Sequence, residues 1–412
     1  MKRNDAFLFL AIILALASAC GKDEIHSDST VFFRLFPSDT SYEPLGVFQP
    51  DSGSYIVYGT SPEDNGASPV VIKTDLRGNI IWTKYLPPEF HFCSIQQIVG
   101  DSLKVVGVPH GVSLSLYVTE MKDSTVGFVR EYPLDSVLAG PVMPPLFSIN
   151  DATGELIIAL TGEVNGKDVP SVLRIGGSGV ADPLKSYDTG DSLGLDFMVR
   201  SFFPHNDGYI LTGSSIRKSG SSIVNSYCLR LNSSLEKEWC TILSKPDTFL
   251  VVRGAIPEKN STSVILYGSQ TRTFMSNFQN SGIADLIGTL FTEIIDMNGD
   301  TSGEIKYRQY ENMAHACKMI ETTKGGYLLA ATTNELADFY VVNSNRIYLL
   351  SLSDDRQEQW HRQFNGFSPF TAQTLSPAED GGFLIGGYEH SGSFIYNMCL
   401  LKTDANGNIV TN

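Results

Sequence analysis

The chain has 412 residues, 42% apolar and 18% charged, enough hydrophobic material for a large core and a balance that excludes a disordered or fibrous protein. Its 45 acidic and 30 basic residues give a formal charge of −15, with no segregated basic patch, which argues against nucleic acid as a partner because polyphosphate is repelled. This length allows two or three domains, so internal repeats must decide whether there is one.

The first 19 residues read as a targeting segment. Lys2 and Arg3 form a charged head, Ala6 to Leu16 an apolar stretch too short for an ordinary membrane span, and Ala17, Ser18 and Ala19 supply the small residues of a cleavage site. The segment from Leu16 to Cys20 resembles the lipobox of bacterial lipoproteins, although Ala17 stands where the strongest form of that motif has leucine. The resemblance implies that Cys20 becomes the first mature residue and carries the lipid, anchoring residues 20–30 as a tether. The alternative is a plain secretory signal cut after Ala19. Gly21 to Glu24 resembles the short lysine-and-acid signal of surface-exposed Bacteroidetes lipoproteins; a solvated charge run is the alternative. A lipid anchor needs no protein helix in the bilayer.

From residue 31 onward one short strand recurs after a turn: Tyr55 to Gly59, Leu103 to Gly107, Leu156 to Leu160, Tyr209 to Gly213, Val264 to Gly268, Tyr327 to Ala331 and Phe383 to Gly387. The seven copies begin 48, 53, 53, 55, 63 and 56 residues apart, a period that fits four strands with turns and leaves no room for a crossover helix. In the first copy the strands are Leu45 to Phe48, Tyr55 to Gly59, Val70 to Thr74 and Ile80 to Tyr85. Asp75-Leu-Arg-Gly78-Asn79 turns the third into the fourth, with glycine supplying a positive φ, and Asp404-Ala-Asn-Gly407-Asn408 repeats it. Aromatic residues mark the fourth strand: Trp82 and Tyr85, Phe128 and Tyr132, Trp239, Tyr307 and Tyr310, Trp360 and Phe364. They are expected to pack between neighbouring sheets.

Seven four-stranded meanders bury both faces most economically by radial stacking, so an all-β, seven-bladed propeller of antiparallel blades is predicted over residues 31–412 as a single domain. A linear β-solenoid needs shorter, more uniform coils. Val31 to Phe36 resembles a fourth strand standing before any first strand, and the last copy ends as its own fourth strand begins. The N-terminal strand is therefore expected to complete the final blade and close the ring, removing two sheet edges. Glycine-glycine-aromatic strands followed by Lys-Thr-Asp-x-x-Gly-Asn turns, as at Lys402 to Asn408, resemble the propeller repeats of large Bacteroidetes surface and secreted proteins. That resemblance implies a fold and little about activity.

Motifs of chemistry are sparse. Asp75-x-x-Gly78-x-x-x-Trp82 is similar to the tryptophan-docking repeat of pyrroloquinoline-quinone propellers, but those rings have eight blades, so Trp82 is read as packing and no cofactor is expected. Asp296 to Glu304 alternates oxygen ligands like a calcium loop, yet Gly299 stands at the fourth position where the sixth is required, which favours a hairpin turn. The histidines at 26, 91, 110, 205, 315, 361 and 390 form no His-x-His or His-x-x-x-His pair, and His315 with Cys317 is read as core, so no metal is expected. No nucleophile elbow, phosphate loop or dinucleotide fingerprint occurs, and no catalytic residue is nominated. Beyond Cys20 the five cysteines are odd in number. Cys228 and Cys240 flank one hairpin, where a bridge requires them opposite each other and a one-residue difference in register forbids it. Five Asp-Ser/Thr-apolar triplets, the first at Asp28, resemble Bacteroidetes O-glycosylation sequons.

Loop length points to function. The connections between second and third strands are long at 214–226, 269–288 and 332–345, and all emerge on one face of the ring. Arg272, Phe274, Phe278, Phe339 and Tyr340 within them are the candidate binding residues. The central channel is the alternative, where Gln96, Arg200, Lys318 and Gln373 fall at similar first-strand positions. The expected protein is a monomeric envelope lipoprotein attached to the outer membrane by lipid, at the cell surface or facing the periplasm. It binds or scaffolds a glycan or protein partner without catalysis; the alternatives are a propeller enzyme acting on polysaccharide and a periplasm-facing assembly scaffold.

Overall fold

A strand covered on one face alternates buried and exposed residues, but the second strands of this chain do not: Ser54–Thr60 is buried at all seven positions and Gly208–Ser215 at all but one. Both of their faces must be covered, which a ring of stacked sheets provides. The computed structural model describes residues 31–36, 41–61, 68–98, 102–109, 113–138, 144–150, 152–189, 197–215, 225–245, 248–259, 261–273, 286–307, 314–334, 345–364, 369–391 and 395–409.

Seven four-stranded antiparallel blades form a β-propeller. The first, innermost strands are Glu43–Asp51, Phe92–Gln97, Leu146–Asn150, Phe197–His205, Thr248–Pro257, Ala314–Glu321 and Phe370–Pro377. The recurring motif is the second strand of every blade, as predicted. Blades 2 and 3, where the repeat is faintest, are the irregular ones. A single residue pair, Leu138 with Gly162, joins their sheets, and the outer strand of blade 3 is only Lys185–Ser186. The one helical element among the described residues is a 3-10 turn, Pro88–Phe90, leading into blade 2.

The N-terminal strand Phe32–Phe36 pairs antiparallel with Ile395–Thr403, Phe32 opposite Lys402 and Phe36 opposite Met398, so the last blade takes three strands from the C-terminus and one from the N-terminus. Closure is visible in the core as well. Successive side chains of each second strand point to opposite neighbours: Tyr55 and Val57 pack with Leu384 and Leu400 of blade 7, while Ile56 and Tyr58 pack with Leu103 and Val105 of blade 2. The described core divides into seven such clusters, one for each interface of a closed ring.

The Lys-Thr-Asp-x-x-Gly-Asn repeat has a structural explanation in each part. The third-strand cation returns to the acidic group near the first turn of its blade, Lys73 to Asp51 at 3.1 Å and Lys402 to Asp380 at 2.7 Å, with Arg230 to Asp207 the same pairing in blade 4. The aspartate organises the turn: Asp75 Oδ1 accepts the N–H groups of Arg77 and Asn79, and Asp404 Oδ1 those of Asn406 and Asn408. Asp296 does likewise for Asn298 and Asp300, so the calcium-like segment is a hairpin turn. The fourth turn position has positive φ, 77° at Gly78 and 74° at Gly407. A Cβ on Gly407 would also meet the Trp360 ring at 2.6 Å, because each such turn docks on the outer strand of the preceding blade. Trp239 shows the contact in polar form, its Nε1 donating to Met297 O at 2.8 Å in the next blade.

Not every fourth-strand aromatic packs as expected. Phe128 is 82% exposed in the link before Arg130–Leu138, and Tyr85 is 57% exposed on its rim strand, because an outermost strand has solvent beyond it and only some of its side chains reach a neighbour. Tyr310 lies outside the described residues.

Two outcomes check this architecture. Deleting residues 31–37 removes buried Phe32 and Phe36, each contributing about 1.5–3 kcal/mol, and exposes the edge of Ile395–Thr403; a lower melting midpoint with concentration-dependent aggregation is expected, and an unchanged melting curve contradicts the closure. Trp239→Phe should lower stability by about 1 kcal/mol in urea unfolding, the worth of the hydrogen bond to Met297.

Candidate functional site

Inner strands have a neighbour on one side only, and seven of them around an axis leave a cavity. Here it measures about 850 Å³ and is lined by first-strand residues of all seven blades. A recurrent irregularity shapes its wall. In five blades the first strand slips register at the same place, between Pro44 and Gly46, Val199 and Ser201, Val252 and Gly254, Ala316 and Lys318, and Ala372 and Thr374. The extra residue of each bulge, Leu45, Arg200, Arg253, Cys317 and Gln373, lines the cavity. A bulge re-aims a side chain, and here the same device is used five times toward the axis.

Neighbouring blades hold these bulges in place. The N–H just before three of them is captured by a hydroxyl of the preceding blade: Val199 N donates to Thr161 Oγ1 at 3.1 Å, Val252 N to Ser226 Oγ at 2.8 Å and Ala372 N to Thr332 Oγ1 at 2.9 Å. In blade 2 the Ile95 N–H donates to the Tyr58 hydroxyl, whose ring crosses its own first strand where Gly46 leaves room; a Cβ there would stand 2.3 Å from the ring. The wall is therefore rigid, and its polar groups are pre-positioned.

The described lining holds Arg200, Arg253, Lys318 and His315, with no aspartate or glutamate. In a chain of net charge −15 this is a local reversal of sign. Burial, then repulsion from Arg253, lowers the pKa of Arg200, which stays a cation at neutral pH. Burial, with the Arg253 charge behind it, holds His315 below the usual histidine value and hence neutral at pH 7. Neutral hydrogen-bonding groups complete the wall: Gln96 donates to Phe147 O at 2.6 Å, and Gln373 hydrogen-bonds Tyr388. Phe48 and Phe202, each partly buried, supply apolar surface.

All four channel residues read from the sequence, Gln96, Arg200, Lys318 and Gln373, line this cavity. Arg253 was missed because the first turn varies in length: Arg200 stands nine residues before Tyr209, whereas Arg253 stands eleven before Val264. His315, read as core, is also in the wall. Its companion Cys317 donates its thiol to Ala372 O at 2.7 Å, and burial raises its pKa to about 11, which leaves it poor as a nucleophile. No group of three or more metal-ligating side chains gathers among the described residues. Arg272 belongs to strand Val264–Thr273, but its side chain, together with Cys20, Phe274, Phe278, Phe339 and Tyr340, lies outside the described residues.

Comparisons with known proteins add the fold. No family model and no curated protein matches the chain. Among solved structures, a puromycin hydrolase S511A mutant complexed with PGG superposes with a TM-score of 0.53 at 12% identity over 90% of this chain; the chain spans about half of that protein, 53% of its length. Polysaccharide lyase Uly1 matches with a TM-score of 0.46 at 8% identity, covering 90% of this chain and 91% of its own. A protein of unknown function from Dyadobacter fermentans DSM 18053 gives 0.46 at 11% identity, covering 77% and 96% respectively.

Cys228 faces Thr241, and Leu229 faces Cys240, so the two cysteines are one residue out of register on opposite faces and both are free. Burial pushes the thiols of Cys93, Cys228 and Cys399 far up. An alkylating reagent at mildly alkaline pH should leave these three unmodified in the native protein and label them after denaturation. Mass spectrometry reads the difference, and rapid native labelling contradicts their placement.

Proposed function

We propose that the chain is a lipid-anchored envelope protein whose propeller binds a glycan in its central channel without chemically altering it. The observation that carries this reading is the wall itself: a rigid cavity of about 850 Å³ combining amide, hydroxyl and guanidinium groups with phenyl rings, the mixture that recognises a sugar's polar edge and apolar face. Hydrolysis of a glycosidic bond ordinarily uses two carboxyl groups flanking it, and the described lining offers none. The lipid anchor rests on the sequence around Cys20 and accords with an extracytoplasmic glycan as ligand. Polysaccharide cleavage remains the second reading, supported by the neutral imidazole of His315 near the Arg253 guanidinium, a base beside a cation. Turnover is therefore measured alongside binding.

Two experiments test the proposal. A glycan array with product analysis should show binding with no new reducing or unsaturated ends, and Leu45→Trp, which enlarges a bulge residue that lines the cavity and also packs on the core between blades 1 and 2, should abolish binding while the protein keeps its β-sheet circular dichroism and a cooperative melting transition. Binding unaffected by Leu45→Trp removes the channel as the site, and product formation overturns the binding-only reading. Cys20→Ala should end palmitate labelling and release the protein from the membrane fraction; label retained after the substitution overturns the anchor.

A further inference from the structure

Charge in the channel is concentrated, not spread. Arg200 and Arg253 are bulge residues of adjacent blades, and His315 follows on the next. The Arg253 charge acts on both of its neighbours. Two guanidinium groups on adjacent blades of one half-buried wall repel each other, and no aspartate or glutamate is among the described lining residues. The Nε of Arg253 is buried and meets no hydrogen-bond partner among the described residues. Buried donors are ordinarily satisfied, so an unmatched one in a cavity wall asks for an acceptor from outside.

Resting on the channel as binding site, we propose that Arg200 and Arg253 form an anion subsite that takes the carboxylate of an acidic sugar, so that the ligand class is a uronic-acid oligosaccharide. A guanidinium fork matches a carboxylate with two parallel hydrogen bonds, and a carboxylate between two such forks cancels their repulsion. Lys318 lines the same cavity, where burial lowers its pKa from the ordinary lysine value, and extends the wall toward a second acidic residue of the chain. Phe202, stacked on Tyr209 with ring centroids 5.5 Å apart, gives the sugar ring a fixed apolar surface beside Arg200. The overall charge of −15 repels polyanions from the outer surface, so this recognition depends on the channel.

The test is calorimetric titration of the full chain with trigalacturonate and with its methyl ester, which has the same shape and no charge. The acid should bind about tenfold or more tightly than the ester, and the gap should narrow as salt rises. Arg253→Gln should weaken the acid by about tenfold and leave the ester unchanged, with Arg253→Lys intermediate because it keeps charge without the fork. In the absence of ligand, Arg253→Gln should melt at the same temperature as the parent or higher, since it removes a like-charge repulsion; a large drop would mean that Arg253 serves the fold. Equal affinity for acid and ester, no binding of either, or acid binding indifferent to Arg253→Gln overturns the subsite. If acid and ester bind equally and Leu45→Trp abolishes both, the subsite falls and the channel stands. If Leu45→Trp leaves acid binding intact, the channel reading falls first.

Discussion

Every blade of this protein has two apolar faces, and a sheet with two apolar faces needs a neighbour on each. That requirement holds the architecture together. The alternation of Tyr55 and Val57 toward blade 7 with Ile56 and Tyr58 toward blade 2 satisfies it locally, and the pairing of Phe32–Phe36 with Ile395–Thr403 satisfies it globally by leaving no end blade. The first and last described strands meet inside blade 7, and the packing of that blade on blade 1 brings the number of interfaces to seven. The turn glycines and aspartates belong to the same logic, since Gly78, Gly299 and Gly407 each lie against the outer strand of the blade before.

The channel follows from what radial packing leaves over. The sheets cannot reach the axis, and the bulges at Leu45, Arg200, Arg253, Cys317 and Gln373 turn one side chain per blade into the space that remains. Because hydroxyls at Thr161, Ser226 and Thr332 clamp the preceding N–H, the side chains of Arg200, Arg253 and Gln373 project from held backbone. The propeller fold by itself says little about the chemistry of the channel.

The sequence was most legible where a repeat forced the same solution many times. Seven copies of one strand, the Asp-x-x-Gly-Asn turns and the unpaired fourth-strand likeness of Val31 to Phe36 led directly to blade number and closure. Legibility fell where a residue's role depends on backbone irregularity. No periodic pattern reveals a bulge, so Arg253, eleven residues before its motif where the channel residues read from the sequence stand seven to ten before theirs, was not picked out, and Cys317, the bulge residue of blade 6, was passed over for Lys318 beside it. His315 looked like core because alternation alone does not distinguish the face toward a neighbour from the face toward the axis. Phe128 misled in the opposite direction: an aromatic near an outer strand is packed only if the next blade reaches it.

The central claim is that ligand sits on the bulged inner strands and not on the long connections between second and third strands. Hydrogen–deuterium exchange of the full chain with and without trigalacturonate tests it most directly. The account predicts protection concentrated in Phe197–His205, Thr248–Pro257, Ala314–Glu321 and Phe370–Pro377, with the outer strands unchanged. Protection confined to residues 274–285 or 335–344, with the inner strands unaltered, would contradict it.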